Sequence, residues 1–186
     1  ISSEVSIEDQ FAVLKELLGK FKYGNIGVIY DPRNTGGIIS KAVSVAKKYE
    51  FDLITKEAFS DSEVISALKN MIKKIDALWI VPDETVITKD SLNAILKETQ
   101  QRRLPTLCTS SAIVKAGALI SVSPDYRYIG LQAARLAQTL LHNPAVMSRG
   151  IQQPDKIKIT LNTQIAKMIG INSSSFQYRS DISLYP

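Results

Sequence analysis

The regular alternation of short apolar runs with longer stretches of helical period constrains this chain more than any other feature. Phe11, Leu14, Leu17 and Leu18 recur at helical spacing behind Ser6 and Asp9, an Asp variant of the capping box. Residues 26–30 form a β-rich run closed by Asp31-Pro32. Ala42, Val45, Ala46 and Tyr49 mark one helical face within 38–49, and residues 52–55 give a second strand. Ser60 to Glu63 caps a helix carrying Val64, Leu68, Met71 and Ile75. Residues 77–81 are the most apolar run and fit a central strand buried on both faces. A helix over 90–102, a strand over 105–109, a short helix over 112–116 stopped at Gly117 and a fifth strand over 118–122 complete the series. Helices of this length between short apolar strands imply parallel β-α-β units with right-handed crossovers. The expectation is an α/β fold, a doubly wound parallel sheet in the order 2-1-3-4-5.

After Pro124 the pattern changes. Residues 126–142 read as a long amphipathic helix with Ile129, Ala133, Leu136, Ala137, Leu140 and Leu141 on its apolar side, broken at Asn143-Pro144. Residues 156–161 alternate like a half-exposed strand, and Thr163 is the expected cap of a short helix ending at Gly170. The tail from Asn172 is expected to be poorly ordered unless a neighbour holds it. The chain thus divides into an α/β ligand-binding lobe over 1–122 and a hinge, return helix, closing strand and tail over 123–186.

Several classes of function are excluded. No run approaches the roughly 18 apolar residues of a membrane span. The formal charge is +5, but Lys47-Lys48, Lys73-Lys74 and Arg102-Arg103 fall at helix ends, where cations complement the dipole. No aromatic residues interleave with a basic stripe, so nucleic acid is not an expected partner. Cys108 is the only cysteine, which rules out a disulfide framework or a multi-Cys metal site and suits a small buried filler. The single His142 lies at a helix end, as a surface cap. There is no nucleophile elbow, Walker loop or dinucleotide fingerprint, so neither catalysis nor a cofactor nor a metal is expected. With no initiator Met and no signal-peptide pattern, the sequence reads as a processed or excised piece.

In a sheet of this order, ligands bind beyond the carboxyl ends of the strands where the strand order reverses, here between the first and third strands. The first strand delivers Asp31 to Gly37, a polar loop opening into a helix, where backbone N–H groups with Asn34 and Thr35 could hold a carboxylate or phosphate. The third delivers Asp83 and Thr85, with Asp83 placed to pair with an ammonium or hydroxyl group. The fourth delivers Thr109, Ser110 and Ser111; the fifth delivers Asp125 and Tyr126. Residues of these types are equally ordinary caps and turn formers, and both roles stand open for each. Trp79 fits the core, and Tyr126 a pocket wall. Asp31, Asp83 and Asp125 could instead gather a Mg²⁺ for phosphoryl transfer. A receiver-like site, however, would have a second acid where Pro32 stands and a Lys where Arg127 is the nearest base.

At these same loops the sequence resembles the ABC transporter substrate-binding protein family, which has the type I periplasmic-binding fold. The resemblance rests on residues 28–33 (Val-Ile-Tyr-Asp-Pro-Arg), 76–86 (ending Pro-Asp-Glu-Thr-Val), 117–126 (Gly-Ala-Leu to Asp-Tyr) leading to Gly130, 158–162 and 166–170. It implies a non-enzymatic, periplasmic or otherwise extracytoplasmic protein that binds a small polar solute, such as an amino acid, and delivers it to an ABC permease. A signalling protein's sensory domain would share the same pocket. It also implies that this chain is the second of two lobes. The first lobe, or a homodimer mate, would then cover the helix over 126–142. By the same match the ligand-binding positions are Asp31, Asn34, Thr35, Asp83, Thr85, Ser110, Asp125 and Tyr126. The family often carries Asn where this chain has Asp31, a change that adds a negative charge and favours a cationic or polyol group there.

Overall fold

Seven strands form one sheet in the order β2-β1-β3-β4-β5-β6-β7: β1 (Asn25–Tyr30), β2 (Asp52–Glu57), β3 (Ala77–Ile80), β4 (Thr106–Cys108), β5 (Ile120–Pro124), β6 (Ile157–Asn162) and β7 (Ile182–Tyr185). This computed structural model describes residues 1–19, 24–142, 150–176 and 179–186. The first five strands are parallel, in the order the sequence implies. β6 then runs antiparallel to β5, with Ile120 opposite Leu161 and Pro124 opposite Ile157, and β7 lies parallel to β6. The helices are α1 (Ile7–Leu18), α2 (Pro32–Lys48), α3 (Asp61–Met71), α4 (Lys89–Gln101), α5 (Ser111–Lys115), α6 (Tyr126–His142) and α7 (Thr163–Ile169).

Side chains of a strand alternate between the faces of its sheet, and the two faces here bury separate cores. Ile26, Val28, Trp79 and Val122 pack with Phe11 and Leu14 of α1, Ala42 and Ala46 of α2 and Ala166 of α7. Ile29, Leu78 and Ile80 pack on the other side with Leu68 and Met71 of α3, Ile95 of α4 and Val114 of α5. Phe11 meets Phe51 and Trp79 edge-on, at centroid distances of 6.0 and 5.1 Å. Such pairs add about 0.5–1.5 kcal/mol each beyond the area they bury. Gly27 lets the end of α3 and the turn after it approach the sheet: a Cβ there would lie 3.0 Å from Met71 Cε and 2.6 Å from Ile75 Cδ1.

Three details depart from the sequence reading. First, α2 begins at Pro32, so the expected polar loop over 31–37 is already helix. Asp31 is its N-cap, accepting from Arg33 N at 2.9 Å, and Pro32 supplies a first-turn φ at a position that needs no N–H donor. Second, Asn162 rather than Thr163 caps α7: Asn162 Oδ1 accepts from Ile165 N at 2.9 Å, while Thr163 Oγ1 donates to the Tyr185 carbonyl at 3.1 Å. Third, the tail is held by the chain itself. A 3-10 turn over Ser174–Phe176 buries Phe176, Arg179 bonds Glu16 and Asp181, and β7 pairs with β6.

Of the finer readings, Ile75 lies beyond α3, which ends at Met71, and β6 is buried from Ile159 to Asn162 instead of half-exposed; the capping and charge readings hold. Ser6 and Ser60 cap α1 and α3, and Gly170 ends α7 with φ 82°. The paired lysines and arginines at the helix ends are exposed, and Cys108 is buried. His142 is exposed, its Nδ1 2.7 Å from the Gln138 carbonyl. Within α6 only Gln132 is buried, while Leu131 and Leu141 are 48% and 80% exposed. Asn143 and Pro144 lie outside the described residues. No helix among those described is long and apolar enough to cross a membrane.

Candidate functional site

The switch point between β1 and β3 is filled by a closed polar network. Asp83 follows β3 and is 1% exposed. Its Oδ2 accepts from Asp31 N at 2.9 Å and Thr35 Oγ1 at 2.6 Å; its Oδ1 accepts from Thr85 N at 3.0 Å and Asn34 Nδ2 at 3.3 Å. Asp31 in turn accepts from Thr85 Oγ1 at 3.0 Å and from the Arg33 guanidinium, Nη2 to Oδ2 at 2.5 Å. Thr85 Oγ1 also accepts from Asn34 Nδ2 at 3.2 Å. The bond to Arg33 holds the Asp31 carboxyl well below the usual carboxylate range, against the desolvation that would raise it. Five of the eight candidate positions therefore meet; Asp31, Thr35 and Asp83 are buried, and Thr85, Asn34 and the exposed Arg33 complete the contacts of the two carboxylates. A Mg²⁺ held by Asp31 and Asp83 would have to displace these donors. Among the described residues no cluster of three or more His, Cys, Asp or Glu could hold a metal ion.

Beside this network a cleft of about 620 Å³ opens beyond the carboxyl ends of β3, β4 and β5. That volume is within the roughly 300–1,000 Å³ typical of small-molecule sites. Trp79 of β3, Pro82 beyond its end, Pro124 of β5 and Tyr126 at the start of α6 supply its apolar lining, and Ile38 of α2 adds to it. Thr109 and Ser110 bring hydroxyls; Glu4, Glu8 and Lys41 bring charge of both signs. Tyr126 stands out at 68% exposed, a wall with its ring free to be covered. Ser110 also caps α5, accepting from Ala112 N at 3.3 Å. Asp125 turns elsewhere: its Oδ1 accepts from the N–H groups of Arg127 and Tyr128, and it borders two cavities behind this cleft.

Strand-end reasoning missed what α1 contributes. Trp79 is 1% exposed and belongs to the core, yet its edge borders the cleft, and its Nε1 donates to Gln10 Oε1 at 2.9 Å. Gln10 Nε2 donates onward to the Val5 carbonyl at 3.1 Å, tying the segment before α1 to the sheet. A signal existed: Gln10 adjoins Phe11 and precedes Leu14 by four residues, a polar group on an apolar face. No comparable signal marked Lys41. Chemically, the cleft offers apolar walls with an exposed tyrosine ring, hydroxyls and charges of both signs. These groups suit a small zwitterion with a sizeable apolar side group.

Comparisons with known proteins converge. The family profile described as ABC transporter substrate binding protein matches residues 1–176. The tyrosine-binding protein of Clostridioides difficile (strain R20291) is 27% identical over 179 residues, covering 94% of this chain and 50% of that protein. The ligand-free, open structure of a Clostridium difficile substrate-binding protein with adhesive properties superposes with a TM-score of 0.77 at 23% identity, over 99% of this chain and 61% of the other. An ABC domain in complex with L-Trp from Streptococcus pneumonia gives 0.72 at 20% identity, over 98% and 64%. The chain spans about half the length of the curated relative it matches.

Proposed function

The chain belongs to the ABC transporter substrate-binding protein family, whose members are binding proteins and not enzymes, and from that premise we propose that it takes an amino acid with a large apolar or aromatic side chain in the cleft between Trp79 and Tyr126. The observation that carries this reading is the cleft itself: the exposed Tyr126 ring, the edge of Trp79, the Ser110 hydroxyl, and Lys41 and Glu8 in its lining. Lys41 would meet the α-carboxylate and Glu8 or Glu4 the ammonium, while the side chain lies against Trp79 and Tyr126. The named ligands of the relatives, tyrosine and L-Trp, are of this class.

In this proposal the eight candidate positions divide the work. Ser110 and Tyr126 touch the solute. Asp31, Asn34, Thr35, Asp83 and Thr85 lock the ends of β1 and β3 so that the floor keeps its shape. Asp125 fixes the start of α6. Residues 1–122 act as the ligand-binding lobe and 123–186 as hinge, return helix, closing strand and tail. A second lobe, for which the curated relative has the length, would close over the cleft and cover the exposed leucines of α6, and family membership supports an extracytoplasmic setting with an ABC permease as receiver.

Calorimetric titration against the common amino acids tests the reading. A tyrosine- or tryptophan-like solute should bind, and Tyr126→Ala or Lys41→Ala should weaken it about tenfold while the melting temperature stays unchanged. Absence of any amino-acid response, or affinity indifferent to both substitutions, would overturn it.

A further inference from the structure

Behind the solute cleft, across the wall formed by Pro124 and Tyr126, lies a second cavity of about 420 Å³. Its floor is the face of β5, β6 and β7 turned away from α1, where Ser123 and Thr160 are themselves buried. Ile120, Val122, Ile159 and Leu161 point into the core shared with α1, so the alternating residues Ser123, Lys158, Thr160 and Ser183 point the opposite way. The register sets Ser123 opposite Lys158 and Thr160 opposite Ser183. Lys115 of α5 and Arg127 of α6 complete the rim. These three cations make no salt bridge among the described residues. The lining carboxylate is Asp125, whose Oδ1 is taken by two backbone N–H groups. Nearby Asp181 is committed to Arg179, at 2.7 Å. On the same face, directly across from Thr160, the buried hydroxyl of Ser121 has no hydrogen-bond partner among the described residues.

A cavity lined by ammonium, guanidinium and hydroxyl groups, with three cations against one carboxylate, is a surface of donors seeking acceptors. A neutral solute would leave its positive charges uncompensated. A group presenting several oxygens and at least one full negative charge satisfies both requirements. We propose that this cavity is a second binding site, distinct from the solute cleft, for a free tetrahedral oxyanion of the phosphate or sulfate class. Lys158 and Lys115 supply the charge, and Thr160 and Ser183 the orienting hydroxyls. Because Tyr126 walls both cavities, an anion held here sits next to the aromatic wall of the solute cleft.

The test is the ³¹P line width of inorganic phosphate titrated with the protein at fixed ionic strength. This readout is insensitive to the general stabilisation that such salts give any protein by exclusion from its surface. The site predicts saturable broadening that sulfate reverses and chloride does not. The double variant Lys115→Gln/Lys158→Gln should weaken phosphate by more than about tenfold, and Ser183→Ala by a smaller factor. Lys97→Gln, an exposed cation on α4, should change nothing. Equal broadening in all four proteins, reversal by chloride, or no broadening at all would each overturn the proposal.

Discussion

Replacing Asp83 by Ala tests whether the network at the switch point holds the fold or merely decorates it. The Asp83 carboxylate accepts four hydrogen bonds: Asp31 N at 2.9 Å, Thr35 Oγ1 at 2.6 Å, Thr85 N at 3.0 Å and Asn34 Nδ2 at 3.3 Å. Asn34 is exposed and Thr85 half-buried, so water replaces much of what they lose. Asp31 and Thr35 are buried, and their donors would be left without acceptors. A hydrogen bond to a charged group is worth about 1.5–3 kcal/mol, which puts two of them at roughly 3–6 kcal/mol. Removing a negative charge beside Asp31 offsets part of that loss and favours the lower end. For a domain of this size, 3 kcal/mol lowers the melting temperature by roughly 6–12 °C. Urea titration of wild type and Asp83→Ala measures it directly, and Asp83→Asn, which keeps one acceptor oxygen, should fall between them. A loss below about 1 kcal/mol would refute the reasoning. If amino-acid binding vanished at the same time, the carboxylate would be serving a ligand instead of the scaffold.

Other expectations follow from single contacts. Asp31 is ionised more readily in the folded state than in the unfolded chain, so the stability it contributes is present above the unfolded value of about 4 and lost as pH falls through the folded one. Arg33→Ala raises the folded value, and the acid-unfolding midpoint, followed by circular dichroism, should therefore move to higher pH. Burial pushes the Cys108 thiol up to about 12, so a thiol reagent at pH 8 should label the native protein only as fast as it opens, and the unfolded protein at once. Gly117 adopts φ 124°, and a Cβ there would lie 2.3 Å from Gln100 Nε2; Gly117→Ala should cost about 1–3 kcal/mol in urea unfolding. Should Gly117→Ala instead match wild type, the left-handed turn is not required.

Much of the sheet could be read from the chain because its pattern is local. Short apolar runs such as 77–81, separated by helix-length segments, leave few topologies open, and the five parallel strands take the order that handedness and connection length require. β7 escaped because Ile182 to Tyr185 is short and half-exposed, and gains its place from pairing with β6 and from Arg179 reaching Glu16, contacts distant in sequence. The start of α2 is obscured for the opposite reason. Gly36 and Gly37 resemble a turn, yet the Asp31 cap and Pro32 had already committed the backbone to a helix. The polar residues at the strand ends were found by type and position. Whether a given Asp points at a ligand or at its neighbours depends on side-chain geometry, and no spacing rule separated Asp83 within its network from Ser110 beside the open cleft. Gln10 and Lys41 lie on helices, outside the strand-end rule altogether.

Trp79 is the only tryptophan in the chain, and its edge borders the proposed amino-acid site. Its fluorescence, excited at the red edge where tyrosine does not absorb, is the most direct reporter of occupancy. Titration with L-tyrosine and L-phenylalanine should give a saturable change in Trp79 emission that Tyr126→Ala weakens and Lys97→Gln leaves intact. An emission spectrum that stays constant up to the solubility limit of both amino acids would contradict the assignment of the cleft to an aromatic amino acid.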